Sequence, residues 1–282
     1  MGFEEIVARC CASSELAAAA AAATAPSSRA LMSFITTFDW SAAPLSDVRA
    51  PLGAGAIYVC VVLALDAWMK RRGRGFDTTY VQAAHNLVLC VGSLAMALGT
   101  LLEVYRRASS DAEGARWLFC ERASTAPTGA LWFWSYVYYL SKYYELLDTV
   151  LQLFKGRPPP HFFLHVYHHA VVLLMAWNWL EYVQTLQHIA LLFNTSVHVV
   201  MYYYYFRRVL GWPVWWKRYV TQFQLVQFGS SAACGVVTLY LVAVRGDACA
   251  GKGALLFNFA FNMTLMYQFF GVLGPKPKAK SK

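Results

Sequence analysis

Residues 164–180 read LHVYHHAVVLLMAWNWL. Three histidines, His165, His168 and His169, interrupt a run that is otherwise apolar enough to lie in lipid. An imidazole at that depth is costly unless it is paired or lines a wet cavity. The spacing i, i+3, i+4 places all three on one side of a helix. The run therefore predicts a membrane-embedded helix with one polar side, and the rest of the chain must supply what that side faces.

Composition sets the surroundings. The 282 residues are 58% hydrophobic and 14% charged, whereas soluble domains carry about a quarter charged residues. The chain reads as a membrane protein with lipid as its solvent. Its net charge of +9 comes from short Lys and Arg clusters between apolar runs, without a basic reading face, so nucleic acid is not an expected partner.

A span needs about 20 mostly apolar residues. Clean candidates lie at 53–69, 81–102, 186–206, 219–243 and 254–273. Two further candidates carry polar residues: 131–154, with Lys142, Glu145 and Asp148, and 162–180, with the histidines. The expected fold is all-α, a polytopic membrane protein with seven transmembrane helices. With the C-terminus cytosolic, Lys70, Arg71, Arg72, Arg74, Lys155, Arg157, Arg207, Arg208, Lys217, Arg218 and the tail lysines fall on the cytosolic side. They outnumber Arg106, Arg107, Arg116, Arg122, Arg245 and Lys252 opposite, which orients the N-terminus outward and the C-terminus inward.

Three regions are expected. Residues 1–50, with the run ELAAAAAAATA followed by PSSRA, form a weakly structured lead. An acidic start and an Ala run argue against a signal peptide, and Ile6 argues against myristoylation. Residues 51–274 form the membrane domain, and 275–282 a basic cytosolic tail.

Four consecutive spans carry one-sided polar stripes. Lys142, Glu145 and Asp148 follow i, i+3, i+6; the three histidines follow on the next span. Asn194 and His198 stand at i and i+4, ahead of the block Tyr202–Tyr205. Thr221, Gln224 and Gln227 stand at i, i+3, i+6. None of these stripes can face lipid. Lys142 either neutralises Glu145 as a helix lock or belongs to the wall of an internal cavity; four stripes in succession argue for a shared, partly hydrated chamber.

Rival chemistries are weighed on the same residues. A di-iron oxygenase ligates its metal with about eight histidines over several boxes; this chain has seven in all, with His85 and His188 outside any box. A bis-histidine heme site leaves the Lys/Glu/Asp and Gln stripes without purpose. A transporter whose midplane binds a solute needs no histidine box. The seven cysteines form no CxxC pair, so a zinc site is not expected. Cys120 and Cys249 fall in loops on the non-cytosolic side, where an oxidising lumen permits either a disulfide or two free thiols.

KYYELLDT, HVYHH, NTSVHVVMYYYY and TQFQLVQF, in this order and at these separations, resemble the signature motifs of the ELO family of very-long-chain fatty acid elongases. The resemblance implies a seven-helix fold in which six helices form a barrel around a substrate tunnel, open to the cytosol. It implies the condensing enzyme of microsomal elongation, a 3-oxoacyl-CoA synthase that joins acyl-CoA and malonyl-CoA with loss of CO2 and CoA. Neither metal nor cofactor is implied, and Cys120 with Cys249 matches the family's luminal disulfide. The reductases and dehydratase of the elongation cycle are implied as partners, with a homodimer left open.

By the same resemblance His168 is the nucleophile, attacking a thioester to give an acyl-imidazole, and His198 binds or polarises the malonyl thioester. No cysteine sits near a polar stripe with a base, so another nucleophile is required. Glu145, Asp148, His165 and His169 would orient the imidazoles, and Asn194 and Gln224 would donate to developing oxyanions. Gln227 and Tyr202 would line the substrate site. Lys142, Arg207, Arg208, Lys217 and Arg218 suit CoA phosphates or the malonyl carboxylate, although positive-inside anchoring accounts equally for the loop cations. The ending KAKSK, with Lys278 and Lys280, resembles a dilysine retrieval signal for the endoplasmic reticulum. Tyr167 within HVYHH resembles elongases of polyunsaturated chains.

Overall fold

A computed structural model describes residues 30–273, with side chains through residue 268. The first part of the lead and the tail with Lys278 and Lys280 lie outside the described residues. Among the described residues a helical stretch at 30–36 precedes eight longer α-helices, in order α1 Arg49–Arg72, α2 Thr79–Ser110, α3 Ala130–Glu145, α4 Leu147–Phe154, α5 Phe162–Glu181, α6 Gln187–Val209, α7 Lys217–Ala243 and α8 Lys252–Leu273. The described residues thus form helices and no strands, apart from isolated bridges, Asp39 with Thr128 and Arg122 with Cys249.

Three helices, α1, α2 and α7, are long and apolar enough to cross a membrane. The seven predicted runs all coincide with helices, but the run 131–154 is broken at Leu146. There the amide of Leu146 bonds the carbonyl of Tyr143 at 3.3 Å, a tightened i to i−3 turn. The break leaves pieces of 16 and 8 residues, each shorter than a bilayer span, and α5 and α6 carry the histidine and asparagine stripes. Length and composition therefore do not by themselves establish a seven-span barrel.

Packing follows the buried stripes. α2 packs most extensively on α6, burying Gln82, His85, Leu89, Ser93, Met96 and Thr100 at helical spacing. Gly99 lets α3 come close: a Cβ there would sit 2.0 Å from the Trp134 ring, the small-residue contact common between membrane helices.

Part of the expected lead is described. Residues 38–47 strap across α3 and α5: the Trp40 indole donates to Glu181 at 2.9 Å, the Tyr136 hydroxyl to Pro44 O at 3.2 Å, the Tyr139 hydroxyl to Leu45 O at 3.0 Å, and the Trp177 indole to Ser46 O at 2.6 Å. Phe38 and Trp40 are buried. An Ala-rich lead lacks large apolar groups to bury, but these two aromatics supply them, and their burial fixes the adjoining backbone.

The α2–α3 and α7–α8 loops meet at one end of the bundle. Cys120 and Cys249 are joined by a disulfide across 129 residues of sequence. Around it, Arg107 holds Glu121 through two bonds of 2.7 Å, and Arg116 pairs with Asp247. Arg122 hydrogen-bonds Asp111 and holds that carboxyl below its usual range. Closing so long a loop restricts the unfolded chain, so reduction, or Cys120→Ser, is expected to cost about 2–4 kcal/mol. A fall in the thermal midpoint in detergent on adding dithiothreitol, absent in the Cys120→Ser/Cys249→Ser variant, is the result that checks it.

Candidate functional site

The polar stripes of α3, α4 and α6 meet rung by rung. On the first rung, Asn194 Oδ1 accepts from the Tyr138 hydroxyl at 3.0 Å and from Lys142 Nζ at 3.3 Å. On the second, Glu145 Oε1 accepts from Lys142 Nζ at 2.8 Å and from Ser141 at 3.2 Å, and faces His198 Nδ1 at 3.6 Å. On the third, Asp148 Oδ2 accepts from the Tyr202 hydroxyl at 2.8 Å. Steps of three to four residues on both strands of this ladder follow from the helical repeat. Lys142 and Glu145 are each almost wholly buried, which charges tolerate only as a pair with further hydrogen bonds.

This geometry fixes polarity. An ammonium only donates, so Lys142 must meet the oxygen of Asn194, and the Asn194 NH2 is left with no partner among the described residues. Glu145 facing His198 Nδ1 favours a proton there, leaving Nε2 as the imidazole's lone-pair nitrogen.

The histidine box lies on α5. The His169 ring stands 4.4 Å from His165, 5.4 Å from His168 and 6.3 Å from Tyr58 of α1. His165 Nε2 and His169 Nδ1 are buried without hydrogen-bond partners. His168 stacks on Phe261 of α8 at 6.1 Å and makes no hydrogen bond among the described residues. It lies within electrostatic reach of Lys142, Glu145, His198 and His165. About 9 Å further along α5, at 1.5 Å per residue, begins a recess of about 430 Å³ lined by Leu174, Asn178, Tyr182, Ala254 and Phe257.

The structure gives the other expected site residues the following partners. Asp148 does not hydrogen-bond the box imidazoles: its other oxygen, Oδ1, binds His85 Nε2 of α2 at 2.8 Å. Glu145 faces His198 and, among the described residues, hydrogen-bonds none of the box imidazoles. Lys142 meets Glu145, Asn194 and the face of the Tyr138 ring at 4.1 Å, so its charge is paired inside the bundle. Tyr202 is buried against Asp148. Gln224 reaches only Met201 Sδ, at 3.8 Å, and Gln227, half-buried, does not join the ladder. Arg207 packs on the rings of Tyr203, Trp212 and Trp216 and donates to Pro213 O, while Lys217 is exposed.

The other histidines bear on the iron reading. His85 belongs to Asp148, and His188 sits between Trp117 and Trp132 with Ser135 at 3.5 Å. Among the described residues no group of three His, Cys, Asp or Glu side chains is placed to hold a metal ion.

Residues 43–273 match the model of the family described as ELO: GNS1/SUR4 family. The chain belongs to the ELO family. A putative fatty acid elongase of Dictyostelium discoideum is 36% identical over 238 residues, covering 83% of this chain and 78% of that protein. Fatty acid elongase sre1 of the same organism is 35% identical over 223 residues, covering 78% and 81%. Very long chain fatty acid elongase 2 of Rattus norvegicus is 34% identical over 229 residues, covering 76% and 74%.

In this ELO protein the partners that pattern reading missed are His85, Tyr138 and the pair Tyr58 and Thr149, whose hydroxyls meet at 2.7 Å. His85 carried a usable signal, since Gln82, His85 and Asn86 put polar groups on the buried stripe of α2. Tyr138 carried none, because it sits in a span crowded with aromatics.

Proposed function

We propose that this ELO protein catalyses the condensing step of fatty acid elongation. The His168 imidazole attacks the acyl-CoA carbonyl, the C–S bond breaks, and the leaving thiolate takes the imidazole's N–H proton to become CoA, leaving a neutral acyl-imidazole. Malonyl-CoA then loses CO2, and the carbanion equivalent attacks the acyl-imidazole. The C–N bond breaks, releasing 3-oxoacyl-CoA, and the departing imidazolate takes a proton from solvent, which restores His168. His198, paired with Glu145, receives the malonyl thioester, and the Asn194 NH2 donates to an oxyanion.

The observation that carries this reading is a nucleophile-capable imidazole with no side-chain hydrogen bond among the described residues, beside a buried polar ladder in which Lys142 and Glu145 pair. The names of the relatives, fatty acid elongases, support the substrate class. The reading includes a seven-helix barrel in the endoplasmic reticulum membrane, N-terminus luminal and C-terminus cytosolic, with the acyl tail directed along α5. Purified protein given radiolabelled malonyl-CoA and a panel of acyl-CoAs should release CO2 and form 3-oxoacyl-CoA in equal amounts; consumption of neither across the panel would overturn it.

Preference for polyunsaturated chains rests on Tyr167, whose hydroxyl meets Thr264 of α8 at 2.8 Å beside Phe261. One hydrogen bond is worth about 1 kcal/mol. Tyr167→Phe is therefore expected to shift the ratio of kcat/KM between polyunsaturated and saturated acyl-CoAs by no more than roughly tenfold, measured by direct competition. An unchanged ratio removes Tyr167 from selectivity.

A further inference from the structure

His85 lies outside both the box and the ladder, on α2, and is 5% exposed. Its Nε2 donates to Asp148 Oδ1 at 2.8 Å, and its Nδ1 is buried without a partner. Leaving that nitrogen unanswered costs desolvation with no return, so packing alone does not account for a histidine here. The other Asp148 oxygen accepts from the Tyr202 hydroxyl at 2.8 Å. The Tyr202 ring stands edge-on to His198, with centroids 5.3 Å apart and planes at 87°, and His198 faces Glu145.

We infer that His85 is a positioning residue for the malonyl half of the reaction, acting through Asp148 and Tyr202 on His198. With both oxygens held, the Asp148 carboxylate cannot turn. Asp148 is within electrostatic reach of Lys142, so a carboxylate released by loss of His85 is drawn toward that ammonium. The movement withdraws the acceptor from Tyr202, frees the ring against which His198 rests, and competes with Glu145 for Lys142. Among the described residues His85 makes no hydrogen bond or ring contact with the box imidazoles, its contacts being Asp148 and the Tyr144 ring, so acyl transfer to His168 stays intact. The assignment rests on the elongase reading and adds a residue from α2 that none of the four motifs contains.

The test uses the full chain in detergent, with a long-chain acyl-CoA followed by a chase of malonyl-CoA. Wild type is compared with His85→Phe, His85→Gln, Tyr202→Phe and the double variant His85→Phe/Tyr202→Phe. His85→Phe should form the His168 adduct within about twofold of wild type, yet discharge it to malonyl-CoA roughly ten- to hundredfold more slowly, the scale of a small misplacement. His85→Gln, which keeps an N–H donor, should return to within a few-fold. The double variant should be no slower than the worse single, since both break one chain of contacts.

Equal losses in both half-reactions, an unchanged discharge, or multiplying single effects would overturn the assignment. If His85→Phe does not fold, the Gln and Tyr202 variants decide it by the same comparison. If wild type makes product without any adduct, the acyl-imidazole step is at fault instead. His85 is then judged by kcat: a fall with KM for acyl-CoA unchanged supports it, and a rise in KM alone overturns it.

Discussion

His168→Ala is expected to lower condensation of a long-chain acyl-CoA with malonyl-CoA by about three orders of magnitude or more, the usual scale for removing a covalent nucleophile. The fold should tolerate the change, because the His168 side chain makes no hydrogen bond among the described residues and its ring contacts are with His169 and Phe261. A thermal midpoint close to that of wild type would show that chemistry, and not folding, was lost. His168→Gln should not recover activity, since an amide nitrogen is not a nucleophile. His198→Ala should fail differently, keeping the acyl adduct and losing its discharge. A His168→Ala enzyme with more than about a tenth of wild-type kcat would place the nucleophile elsewhere.

Glu145→Ala is expected to be the most destabilising single change in the ladder. It strands the Lys142 ammonium, 1% exposed, with the Asn194 oxygen and the Tyr138 ring as its remaining direct partners. Removing one partner of a buried ion pair costs about 3–5 kcal/mol, and at about 2–4 °C per kcal/mol for a chain of this size the thermal midpoint should fall by roughly 10 °C. Lys142→Met/Glu145→Leu removes both charges and should recover much of that loss while remaining inactive. If Glu145→Ala unfolds at the wild-type temperature, the pair is not the lock that its 2.8 Å contact describes. If the double variant is as unstable as the single, the cost lies in packing and not in the stranded charge.

Much of this was legible in the sequence because helices repeat every 3.6 residues. The apolar runs become helices, the stripes 142/145/148 and 194/198/202 face one another in register, and four ordered motifs identify the family. The break at Leu146 was not legible: the residues on both sides of it favour helix, and only the switch to an i to i−3 bond separates α3 from α4. Nor could the sequence say which imidazole each carboxylate would take. Asp148 and the box are near neighbours in sequence, yet Asp148 reaches His85, 63 residues upstream. The strap at 38–47 was obscured by its Ala-rich neighbourhood, where Phe38 and Trp40 count for little in composition and for much in burial. For Cys120 and Cys249, topology placed both on one side, but nothing in their spacing alone chose the bond.

The central claim is covalent attachment of the acyl group to the box. Detergent-purified protein, incubated with a long-chain acyl-CoA and no malonyl-CoA, should gain the mass of one acyl group. Peptide mapping should place that mass on His168, and addition of malonyl-CoA should remove it with release of 3-oxoacyl-CoA. An enzyme that forms 3-oxoacyl-CoA at full rate with no acyl mass on the protein, or with the mass on another residue, would contradict the account.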